Sequence, residues 1–217
     1  MSAIHQAIIE LFNDLEIART PNEMNEYFYK IFDAVQKSKE LKAAARLKKG
    51  LFKKFLEEFY PLFCYSQSKY CDKNCKMNIV LGNQGYDAVL LNSDNKNVFF
   101  EITSFIDGKK DYKNAEKMNK EGVSYTNYIT ECVHSKYRNL ILKNLEKKSL
   151  KNYNNVNLIL VIDTTLYFEV IDEDSTDFIN ELIDDIKNIH LSFNEIFLLH
   201  EVGNSKYNID KYFYKIC

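Results

Sequence analysis

Two apolar runs, Tyr86–Leu91 and Val98–Thr103, flank the polar stretch Asn92-Ser93-Asp94-Asn95-Lys96-Asn97. β-branched and aromatic residues on either side of an Asn/Asp-rich connection predict a β-hairpin. Each run carries one carboxylate inside apolar sequence, Asp87 and Glu101. A turn centred on Asp94 places Asp87 directly opposite Glu101. A register slipped by two pairs Asp87 with Thr103 and leaves Glu101 as its diagonal neighbour. In either register, side chains alternate with period two and put Asp87, Glu101 and Thr103 on one face.

Like charges facing one another in a sheet repel, and a buried carboxylate without a partner is costly. A bound divalent cation with oxygen ligands removes both objections. The plainer alternative is that the acids sit at strand ends in water or pair with lysines.

Gly85-Tyr86-Asp87-Ala88-Val89-Leu90, a short turn and then Phe99-Phe100-Glu101-Ile102-Thr103 resemble the core of the PD-(D/E)XK nuclease superfamily, the restriction-endonuclease-like fold. In that family an acid on the second core strand and a Glu-x-Lys on the third hold one or two magnesium ions. The resemblance maps Asp87 onto the first acid and Glu101 onto the second, and it implies Mg or Mn held by Asp87, Glu101 and the Ile102 carbonyl. Thr103 stands where the family has its lysine, and a threonine cannot supply the positive charge that activates water. Lys109, Lys110 and Lys136 are the lysines the sequence offers in its place, with His134 a further polar candidate on the same helix as Lys136. Some members of the superfamily add a metal-ligand glutamate from the helix before the first strand. Glu58 occupies such a position, and a solvated glutamate is the competing reading.

The expected fold class is α/β, a central mixed sheet flanked by helices with an N-terminal helical extension. The expected division is 1–63, a helical region packed on the core, and 64–217, the nuclease-like core. Ala3–Ala18 has apolar residues at helical spacing. Thr20-Pro21-Asn22-Glu23 predicts a helix start with a capping box. A further helix is expected from about Ser38 to Tyr60, with Pro61 ending it or beginning a loop. Met77–Leu81 is the first strand, and Ser104–Gly122 is polar and lysine-rich. Ser124–Ser149 is a long helix, and Asn157–Asp163 is a strand buried on both faces. Leu166–Ile171 is a short strand, Asp177–Ile189 a helix, and Glu195–His200 and Lys211–Ile216 are strands.

At 217 residues the chain is long enough for a substantial core. Its net charge of −2 excludes a global basic footprint. Lysine-rich stretches remain local, and Lys109, Lys110 and Lys113 are the candidate phosphate contacts. No apolar run is long enough to cross a membrane and no signal peptide is evident, so a cytoplasmic protein is expected. Free thiols are then expected too. Cys64, Cys71 and Cys75, with Cys132 as a fourth ligand, are the residues for a zinc or iron–sulfur alternative. Their C-x6-C-x3-C spacing departs from common zinc patterns.

The reading that follows is a magnesium-dependent endonuclease acting on nucleic acid, with DNA favoured and a homodimer as the assembly that would cut both strands. One alternative is a catalytically inactive protein on the same fold that binds nucleic acid or a protein partner. The other is an α/β protein with no nucleic-acid role, whose two acids are salt-bridged to lysines.

Overall fold

The computed structural model describes residues 2–82, 84–105, 108–123, 131–151, 153, 155–164, 175–201 and 208–217, with the side chains of 110 and 131–134 outside that description. The protein is α/β, with helices flanking a mixed sheet of six strands ordered as they occur in the chain. Two compact units divide it: Met1–Ile102 with Ile106–Tyr125, and Thr103–Phe105 with Thr126–Cys217. The N-terminal helices and the first strands therefore share a unit.

In the first unit, α1 (Ala3–Leu11) is capped by Ser2 and stops at Phe12, short of the expected Ala18. Helix α2 (Pro21–Lys37) begins with the expected box: Thr20 Oγ1 accepts from Glu23 N, and Glu23 Oε2 accepts from Thr20 N at 2.7 Å. These bonds satisfy two donors that a helix start leaves orphaned.

The single helix expected over Ser38–Tyr60 is instead several pieces. Helix α3 (Lys39–Arg46) ends at Leu47, and the chain turns through Lys48 (φ 47°) and Gly50 (φ 56°). Helix α4 (Leu51–Lys54) runs into a π-helical turn, Phe55–Phe59, and then α5 (Tyr60–Gln67). Pro61 does not end the helix. It sits at the first turn of α5, directly after the π turn, where proline's missing N–H costs least. This arrangement buries a run of aromatic rings. Phe28 stacks on Phe63 with centroids 4.4 Å apart, Phe55 on Phe59 at 5.1 Å, and Phe12 meets Phe52 edge-on at 5.0 Å. Phe52 and Phe59 are each 1% exposed, and each such side chain stabilises by about 1.5–3 kcal/mol.

Strands β1 (Lys76–Ile79), β2 (Ala88–Leu91) and β3 (Asn97–Ser104) form an antiparallel meander. Arg19 and Met77 exchange backbone hydrogen bonds at 2.9 and 2.8 Å, which covers the outer edge of β1. The hairpin register is Ala88 with Phe100 through Leu91 with Asn97, the register of a turn centred on Asp94. Asn92 builds that turn: its Oδ1 accepts from Asp94 N and Lys96 N, while Asn95 takes φ 58°. Alternation then sets the faces: Phe100 and Ile102 are buried while Phe99, Glu101 and Thr103 are half-buried. Helix α6 (Gly108–Glu121) follows, in a stretch whose sequence showed lysines rather than an apolar stripe.

In the second unit, α7 (Glu131–Ser149) and α8 (Ser175–Asn188) pack with strands β4 (Val156–Asp163) and β5 (Ile196–Glu201). The two strands pair in parallel from Leu158–Ile196 to Asp163–Glu201. Both are buried nearly throughout, as continuous apolar runs require. The expected terminal strand is shorter than foreseen: Ile209–Tyr212 is a helical turn, α9, and only Phe213–Lys215 forms β6, antiparallel to β5. The strand expected at Leu166–Ile171 and the start of the long helix at 124–130 lie outside the described residues.

Candidate functional site

Asp87 lies one residue before β2. Its backbone N–H donates to Phe100 O at 2.7 Å, although the ladder pairs Phe100 with Ala88. Two residues of one edge thus meet one residue of β3, which is a β-bulge. Period-two alternation does not carry through a bulge, so the assignment of Asp87 to the face of Glu101 and Thr103 stops holding at Ala88. Tyr86 shows the shift, because its ring packs on Phe99 with centroids 4.6 Å apart. The Asp87 carboxylate turns to β3 directly: Oδ2 accepts from Ile102 N at 2.8 Å. Asp87 therefore bonds to Phe100 on one side of Glu101 and to Ile102 on the other. The chain reaches this point through Gly82, whose φ of +151° disfavours any side chain, and a Cβ there would stand 2.7 Å from Gln84 Oε1.

Glu58, from the helices, lies near enough to Asp87 for their charges to repel. Glu58 sits in the π turn with its side chain 13% exposed. Lys54 Nζ donates to Glu58 Oε1 at 2.5 Å, while the buried Oε2 has no hydrogen-bond partner among the described residues. Burial pushes the Glu58 carboxyl above the ordinary carboxylate range. Lys54 opposes the shift, and the charges of Asp87 and Glu57 add to it. π turns often mark functional positions, because the wider turn re-aims side chains. Glu58 was foreseen only as a weak candidate and Lys54 not at all. The sequence signal for both was their i, i+4 spacing on a lysine-rich helix, which is also the pattern of an ordinary surface pair.

Asp87, Glu101 and Glu58 offer hard oxygen ligands, and the orphaned Oε2 of Glu58 is a lone pair that a cation would satisfy. In that respect the residues fit a divalent ion. Among the described residues, however, no three His, Cys, Asp or Glu side chains gather closely enough to form a ready metal group. The ligand set that the sequence implies is smaller: two carboxylates and the Ile102 carbonyl.

The remaining candidates are placed as follows. Thr103 is half-buried on β3, next to Ile102. Lys109 and Lys113 are exposed on α6, and Lys113 lines a concavity of mixed charge with Lys117, Lys120, Glu116 and Glu121. The side chains of Lys110, Cys132 and His134 lie outside the described residues. Lys136 is exposed on α7, in the other compact unit. Lys48, foreseen only as part of a basic stretch, bridges Glu57 at 3.4 Å and Asp111 at 3.0 Å. Cys64, Cys71 and Cys75 are buried.

Comparison of the chain with family models, curated proteins and solved structures finds no match.

Proposed function

We propose that the protein is a metal-dependent nuclease, a phosphodiester hydrolase of the type its hairpin resembles, with Mg or Mn held by Asp87, Glu101 and the Ile102 carbonyl. The observation that carries the reading is the way Asp87 brackets Glu101, through Phe100 O at 2.7 Å and Ile102 N at 2.8 Å. A bulge that fixes one carboxylate against the strand carrying a second acid suits a cation site. The element order supports it as well: three antiparallel strands, helices, a buried strand, a helix and a parallel strand follow one another as the resembled core would have them.

The bound ion would supply a Lewis acid and an activated water. This chain's own residues do the rest. Asp87, fixed by the Ile102 N–H, would offer the ion an oxygen in a set position. Glu58, with one oxygen on Lys54 and the other without a hydrogen-bond partner among the described residues, would offer a further one. Lys54 brings a cation to this cluster, which Thr103 cannot do. Lys109 and Lys113 give the exposed face of α6 positive charges for a phosphate backbone, with salt-sensitive binding.

One reading competes, an inactive protein of the same shape that binds nucleic acid. Thr103 favours it, as does the absence of a three-residue metal group among the described residues. Cleavage of DNA and RNA substrates with Mg or Mn separates the two. The nuclease reading expects cleavage by the wild type that falls at least ~100-fold in Glu101→Gln while the variant stays folded. A folded wild type that binds nucleic acid and cuts none under either metal would replace it with the binding reading.

A further inference from the structure

Cys71 and Cys75 stand apart from the acidic cluster. They bracket Asp72-Lys73-Asn74 in the connection between α5 and β1. Cys71 is 6% exposed and Cys75 0%, while the three residues between them are exposed. The pair thus lies directly beneath a short surface loop. Their Sγ atoms are 3.5 Å apart, with one thiol donating to the other. A disulfide has its sulfurs about 2.05 Å apart, so joining them requires an approach of only about 1.5 Å.

The loop is folded so as to hold that geometry. Lys73 Nζ donates to Ser66 O at 3.0 Å and to Ser68 O at 3.3 Å. Asn74 N donates to the Asp72 carboxylate at 2.9 Å, and Cys75 N donates to Asp72 O. The hydrogen bond between the thiols divides their acidity. Acting as the acceptor lowers the Cys75 pKa, and donating raises that of Cys71. Two buried cysteines with only packing to do need neither this proximity nor a shared proton.

We propose that Cys71 and Cys75 are a redox modification site, forming a reversible disulfide when the protein meets a hydroperoxide. One sulfur of the pair, as its thiolate, attacks an oxygen of hydrogen peroxide and the O–O bond breaks. This leaves a sulfenic acid on that cysteine and hydroxide, which takes up the proton lost from the thiol to become water. The other sulfur then attacks the sulfenic sulfur. The S–O bond breaks, the S–S bond forms, and the second thiol's proton leaves with the hydroxyl as a second water. Two thiols give two electrons to one peroxide. The five-residue ring, Cys71 to Cys75, is small. It fixes the loop that enters β1 rather than stapling distant parts of the chain.

The test uses the full chain with Cys217→Ser, since Cys217 is exposed and would form bonds between molecules. Treatment with hydrogen peroxide, then alkylation under denaturing conditions, should show the loss of two reactive thiols, and dithiothreitol should restore both. Trypsin cleaves after Lys69, Lys73 and Lys76, so the bond should appear as residues 70–73 linked to residues 74–76. Cys71→Ser and Cys75→Ser should each stop at a single oxidised sulfur on the cysteine that remains, and so lose one thiol instead of two. Recovery of both peptides separately and fully alkylated after peroxide would overturn the proposal. So would oxidation of either cysteine to a sulfinic acid in the protein that retains both.

Discussion

Replacing Glu58 by Gln tests the acidic cluster through stability, independently of catalysis. Glu58 is 13% exposed, with one oxygen on Lys54 and one unsatisfied. Losing the Lys54 pair, an i, i+4 pair with Lys54 about a third exposed, costs about 0.5 kcal/mol. Leaving a buried acceptor unmade costs about 1–3 kcal/mol. Glutamine removes the repulsion from Asp87 and Glu57 and replaces one acceptor with a donor. Without metal the balance favours Glu58→Gln by about 1 kcal/mol, or about 2–4 °C in Tm for a chain of this size.

The pH dependence fixes the sign. The folded-state pKa of Glu58 is raised, so its destabilisation is absent below the ordinary value of 4.5 and grows as pH rises through the folded value. The advantage of the glutamine variant should therefore be largest near neutrality and vanish in acid. Urea unfolding in a chelator, at about pH 7 and about pH 4, reads both. Saturating Mg should reverse the order, because an ion bound by the native wild type stabilises it. A variant less stable than wild type by more than about 1 kcal/mol in chelator, or an equal difference at both pH values, would refute the argument.

Three further outcomes follow from packing and pairing. Thr20→Ala removes the capping box of α2 and should cost about 1 kcal/mol by denaturant unfolding. Phe28→Ala opens a cavity between Phe63 and Phe55 and should cost about 3–5 kcal/mol in the same assay. Arg138 holds the Asp185 carboxyl below its usual value through a 2.5 Å contact, so that pair's contribution is complete above 3.8 and is lost as pH falls through the lower folded value. At most about 1 kcal/mol is expected, as the loss of the acid-limb slope in Asp185→Asn.

Where the sequence was read correctly, local chemistry left little choice. The Thr20 box, the Asn92 turn and the buried run of β4 each follow from residues within a few positions of one another. Of the two hairpin registers the sequence left open, the structure takes the one whose turn is centred on Asp94. The misses came from backbone events with no local composition signal. The π turn at Phe55–Phe59 keeps an apolar stripe going while changing its phase, so Pro61 looked like an end and Glu58 like a solvated residue. The bulge at Asp87 depends on which N–H reaches Phe100 O, and alternation of residue types cannot show that. Helix α6 has its apolar side supplied by little more than Ala115, so its stretch showed only as polar and lysine-rich. At the candidate site the two acids could be picked out, whereas the bulge that takes Asp87 off the face of Glu101 and the pairing of Glu58 with Lys54 required the fold.

The most direct test of the central claim is calorimetric titration of the chelator-treated protein with Mg or Mn, comparing wild type with the Asp87→Asn, Glu101→Gln double variant. The account predicts a saturable binding heat in the wild type that weakens at least ~10-fold in the double variant, with both proteins folded by circular dichroism. Equal binding in the two, or no binding by a folded wild type, would contradict the assignment of Asp87 and Glu101 to a metal site.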